Sequence, residues 1–106
     1  MEIRSAEQCL NMADLRREID RLDQNLVELL SQRQRYIERA AEIKAHRHEI
    51  RDEARIDDVV AKVVAGAKRA GLNPDIAEAV WRKLIERSIA LEMARYEALS
   101  ASNTRE

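Results

Sequence analysis

The chain has 106 residues, the size of one domain, and 37% of them are charged, yet the net charge is only −1. That balance argues against a nucleic-acid or anionic-membrane binder, which would carry a basic excess. Two glycines and one proline leave few turns for a sheet, so the composition reads as all-α. The single Cys9 excludes a disulfide framework and a cysteine-based metal site, and the absence of a signal-type or membrane-spanning apolar run predicts a cytoplasmic protein.

Three helices follow in chain order, forming one domain over 1–106 with loose ends at 1–11 and 100–106. The first is predicted from about Met12 to His46, with Asn11 as N-cap. Its apolar positions, Leu15, Ile19, Leu22, Leu26, Leu29, Tyr36 and Ala40, largely follow a four-three rhythm. Some 35 residues make a helix roughly 50 Å long, against a radius of gyration of about 13 Å for a compact domain of this size. The rest of the chain is too small to cover it. The expected solution is a second copy, an intertwined homodimer in which long helices pack on each other.

The stretch His48–Glu53 breaks the pattern. A second helix is predicted from near Asp52, its N-cap, with Ile56, Val59, Val60, Val63, Val64 and Ala67 facing inward and Gly71 closing it. "GLNPD" then stops one helix and starts the next, with Asn73 as N-cap and Pro74 in the first turn. The third helix is predicted over about Pro74–Leu99, burying Ile76, Val80, Trp81, Leu84, Ile85, Ile89 and Leu91. The tail "SASNTRE" is expected to fray.

Polar residues interrupt these stripes. Arg33 continues the rhythm of Leu22, Leu26 and Leu29, and Lys44 lies eleven residues on, roughly 20° away around an ideal helix. A buried cation needs a counter-charge, so the pair predicts an anionic ligand. Ser88 and Glu92, four residues apart on the third helix, follow Trp81 and Ile85 around one face. Arg16 lies too far from Arg33 for one small pocket within a chain, but an antiparallel partner could bring it there. Periodicity leaves plainer readings open: Arg33 and Lys44 as snorkelling side chains, Glu92 as an interchain ion-pair partner, Asp52 as a simple cap, and Arg51 and Arg55 as a solvated face. His46 and His48, two apart, would not share a helix face, which argues against a metal site. Cys9 reads as an inert thiol.

Taken together, "DLRREIDRLDQNLVELLSQRQRYIERAAEIK", "IRDEAR" and "WRKLIERSIALE" resemble the all-helical class of chorismate mutases, over roughly residues 14–95. The resemblance rests on an arginine, a second arginine, a lysine, Asp-x-x-Arg and Ser-x-x-x-Glu, in that order and at those distances. It implies an intertwined dimer that rearranges chorismate to prephenate with neither cofactor nor metal. In that pattern Arg16 reaches across the dimer to one substrate carboxylate and Arg33 binds the other. Lys44 bonds a carboxylate and the ether oxygen, and Arg55 adds to the cationic surround. Asp52 and Ser88 contact the ring hydroxyl or order the site. Glu92 stands where many members have glutamine and some glutamate, and can donate to the ether oxygen only when protonated. One departure is Ile56, where the family carries a glutamate that holds the ring hydroxyl. The isochorismate–pyruvate lyase of salicylate biosynthesis, similar in fold, also lacks that glutamate and is the alternative activity. A non-catalytic helical dimerisation module is the alternative of a different class.

Overall fold

The computed structural model describes residues 2–104. Three α-helices and two short 3-10 turns make up its regular structure, and no strand occurs among the described residues. Helix α1 spans Met12–Ile43, α2 Glu53–Ala70 and α3 Pro74–Thr104, with 3-10 turns at Ala6–Gln8 and Arg47–Glu49. The chain divides into two compact units, Met1–Arg35 and Tyr36–Glu106, whose boundary falls inside α1.

In the N-terminal unit, Asn11 caps α1 as the sequence predicts: its Oδ1 accepts the Asp14 amide at 2.9 Å. Asp14 itself is buried and was not anticipated. Its carboxylate accepts the Leu10 amide at 3.1 Å and the Arg4 guanidinium at 2.7 Å, and faces Arg17 at 3.6 Å. The Leu10 N–H lowers the Asp14 pKa most, desolvation opposes it, and Arg4 and Arg17 reinforce it. Helix α1 thus starts on a small polar network rather than an apolar plug. No apolar side chain of this unit is buried among the described residues, and Ile19, Leu22, Leu26 and Leu29 are each more than half exposed. A stripe this regular and this uncovered is unusual for a finished surface.

In the C-terminal unit, α1 stops at Ile43, three residues short of the predicted His46. The Lys44 amide still reaches the Ala40 carbonyl at 3.0 Å. His46 is then extended (φ −133°, ψ 142°), because the Glu49 carboxylate takes its amide at 2.9 Å and starts a new turn. Local capture of the backbone outcompetes one more helical turn. Asp52 caps α2 as predicted, its Oδ1 accepting the Arg55 amide at 3.1 Å. Gly71 ends α2 at φ 78°, ψ 17°, and Leu72 N–H reaches back to the Ala67 carbonyl at 2.8 Å, a Schellman closure. Asn73 Oδ1 then accepts the Asp75 amide at 2.8 Å and opens α3 at Pro74.

Helices α2 and α3 pack against each other. The buried apolar side chains are Val60 and Ala67 from α2, Ala77 and Ile85 from α3, Ala41 from the end of α1 and Ile50 from the linker. Three of the six are alanines, which let helix backbones approach closely. Two expectations need correction. Ile76, Val80 and Leu91, predicted buried on α3, are exposed: regular spacing makes a face apolar without supplying what covers it. The tail predicted to fray from residue 100 is helical through Thr104, and Tyr96, Leu99 and Ser100 near its end line a cavity with Ala41, Lys44 and Ala45. Met1, Arg105 and Glu106, parts of the predicted loose ends, lie outside the described residues.

Candidate active site

The polar feature at the heart of the C-terminal unit is an ion pair between residues 48 positions apart. Lys44 Nζ lies 2.7 Å from Glu92 Oε2. Lys44 sits one residue past the end of α1, and Glu92 is in the middle of α3. Glu92 is 4% exposed, whereas the lysine side chain keeps 29% of its surface. A carboxylate this deep in a helical core persists only if its lone pairs are answered, and among the described residues no buried side-chain polar atom lacks a partner. The lysine is thus reachable from one side and anchored on the other. Its open side lines a cavity of about 260 Å³ with Tyr96, Leu99 and Ser100.

Several contacts fix this end of α1 against α3. Tyr96 donates its hydroxyl to the Ala45 carbonyl at 3.2 Å, directly beside Lys44. Arg95 reaches Glu42 at 3.5 Å and Arg47 pairs with Glu97 at 2.7 Å. Glu42 also accepts from Arg39 at 2.8 Å. That hydrogen bond, opposed by desolvation and supported by Arg95, holds the Glu42 carboxyl below its ordinary pKa. Tyr96 had no signal in the sequence beyond its place one turn after Glu92.

The other sequence-predicted residues fall as follows. Ser88 is half-buried on α3, four residues before Glu92. Asp52 is exposed, with its carboxylate engaged in capping α2. Arg55 is exposed and turned along its own helix, Nη1 to Asp58 Oδ2 at 2.9 Å, sharing that carboxylate with Lys62. Both cations, Lys62 first, hold Asp58 below its ordinary pKa. Ile56 is half-buried. Arg16 and Arg33 belong to the N-terminal unit, Arg16 exposed and Arg33 half-buried. The structure therefore joins Lys44 to Glu92 directly and leaves Asp52 and Arg55 in local helix-end contacts. No group of three His, Cys, Asp or Glu side chains is placed to hold a metal ion among the described residues, and no helix there is long and apolar enough to cross a membrane.

Among the described residues, three helices without a strand, and a lysine–glutamate pair between the end of the first helix and the middle of the last, define an all-helical protein with a small polar site. Comparison with known proteins places it more narrowly. The model of the family described as chorismate mutase type II matches residues 15–93, and the chain belongs to that family. It is also similar to the isochorismate pyruvate lyase of Pseudomonas aeruginosa, 29% identical over 94 residues that cover 89% of this chain and 92% of that protein.

Proposed function

We propose that the protein is a chorismate mutase, converting chorismate to prephenate by a Claisen rearrangement. The observation that carries this reading is the Lys44–Glu92 pair, in a chain of the chorismate mutase type II family. The reaction is pericyclic: one C–O bond breaks as one C–C bond forms, and no nucleophile takes part. What the protein must supply is a fixed diaxial conformer and stabilisation of the charge that grows on the ether oxygen. Lys44 carries three N–H donors, of which Glu92 uses one here. The remaining ones can serve a substrate carboxylate and the ether oxygen. Glu92 holds the ammonium in place and, when protonated, donates to the same oxygen. Because negative charge is greater in the transition state than in the substrate, these donors favour the transition state differentially.

Arg33 takes one carboxylate, and Arg16 of a second copy takes the other. The uncovered Ile19, Leu22, Leu26 and Leu29 support that second copy, since a homodimer would bury them. Arg55 adds positive charge, and Asp52 and Ser88 order the ring hydroxyl end. For Arg55 this requires a change of partner away from Asp58, an exposed pair of little intrinsic strength.

A second reading has its own support. The relative named isochorismate pyruvate lyase, together with Ile56 in place of the ring-hydroxyl glutamate, favours elimination of pyruvate from isochorismate on the same scaffold. Turnover measured with both isomers decides between them. The mutase reading expects a higher kcat/KM on chorismate with prephenate as product. A higher value on isochorismate with pyruvate release overturns it in favour of the lyase, and no turnover of either leaves a non-catalytic dimerisation module.

A further inference from the structure

A second cleft lies beside the Lys44–Glu92 pair, walled by His46, Arg47, His48, Arg51, Met93 and Tyr96 and about 550 Å³ in volume. That volume suits a small organic molecule. Four of its six walls are arginines or histidines, and none is an acid. The two imidazoles stack, ring centroids 5.4 Å apart and planes within 10°. They do so because His46 is extended and His48 sits in the following turn, so residues two apart point the same way, which a helix would forbid.

The acids that answer these cations stand outside the walls. Glu97 pairs with Arg47, Glu86 and Glu53 with Arg51, Glu49 takes the His46 amide, and Glu92 holds Lys44. The arginine pairs are solvent-exposed on both sides, 64% and 52% for Arg47 and Glu97, so a better acceptor can displace them at little cost. On the other side of the cleft, Met93 and Tyr96 offer a thioether and a phenol ring, surfaces that pack against a flat apolar body.

We propose that this cleft is a second ligand site for a small arene carboxylate, its carboxylate held by Arg47 and Arg51 and its ring laid against Met93 and Tyr96. A guanidinium fork matches a carboxylate in two hydrogen bonds. The proposal does not rest on the activity proposed above.

The test is an amide-resolved NMR titration of the full chain with 3-phenylpropionate, and in parallel with inorganic phosphate. The expected result is saturable shifts at His46–Arg51, Met93 and Tyr96, with roughly millimolar affinity. Arg47→Ala should weaken binding at least about fivefold; Arg47→Gln serves if the alanine variant does not fold. Lys44→Met should leave it unchanged. Shifts that disappear with Lys44→Met and survive Arg47→Ala would show the probe in the Lys44 site and overturn the proposal. So would phosphate binding as tightly as the arene carboxylate, or no saturable shift at all.

Discussion

Removing the Lys44 ammonium separates the stabilising role of the Lys44–Glu92 pair from the catalytic role proposed for it. In Lys44→Ala, Glu92 stays 96% covered, by its 4% exposure, without the cation now 2.7 Å away. Stripping one partner from a fully buried pair costs about 3–5 kcal/mol, because the surviving charge is left desolvated. The lysine side chain keeps 29% exposure, so water can follow the truncated side chain in and recover part of that. The expected loss is about 2–3 kcal/mol, which for a chain of this length lowers Tm by roughly 10–20 °C. Lys62→Ala provides the control. Its ammonium sits at a nearly equal 2.9 Å from Asp58, but the side chains are 69% and 46% exposed, and its loss should cost no more than about 0.5 kcal/mol. Burial, not distance, decides the difference. Thermal melts at one protein concentration, read by circular dichroism, measure both. The double variant Lys44→Met, Glu92→Gln removes both charges together and should recover most of the stability. Activity should not recover with it: loss of a donor aimed at the developing oxyanion costs about 10²–10³-fold in kcat. A Lys44→Ala protein melting within about 2 °C of wild type would refute the buried-pair argument. A well-folded double variant with near wild-type turnover would refute the role of the pair in catalysis.

Three further outcomes follow from particular contacts. If each site takes Arg33 from one protomer and Arg16 from the other, inactive Arg16→Ala and Arg33→Ala proteins, mixed one to one through an unfolding–refolding cycle, should regain about a quarter of wild-type activity, because half the dimers are mixed and each has one intact site; no recovery in a mixture shown to contain heterodimers would remove the shared-site reading. Asp14 has a lowered pKa in the fold, so its contribution is present above the unfolded value and lost as pH falls through the lower folded value. The stability gap between wild type and Asp14→Asn, measured by urea melts, should therefore be constant from pH 5 to 7 and close below about pH 4; a gap that widens with acid would contradict the assignment. Gly71→Ala should cost about 1–2 kcal/mol, all of it from the backbone at φ 78°, since nothing lies within 4 Å of the added Cβ; a neutral change in a chemical melt would show that the α2 terminus can adopt another closure.

What the sequence determined by itself is local. Asn11, Asp52, Gly71 and Asn73 each act within three or four residues of where they stand, so three helix starts and one stop could be read from residue type alone. The resemblance in the arginine, lysine, Asp-x-x-Arg and Ser-x-x-x-Glu spacing likewise pointed to the family that the comparison then established over residues 15–93. The tertiary structure decided what depends on distant partners. It carried α3 through Thr104, past the predicted end at Leu99. It left Ile76, Val80 and Leu91 in solvent although their spacing marks a buried face, since periodicity reports that a face is apolar and not what covers it. It joined Lys44 to Glu92 across 48 residues. A side chain's hydrogen bond to its neighbouring backbone is written in the sequence; a charge's partner on another helix is set only when the helices have packed.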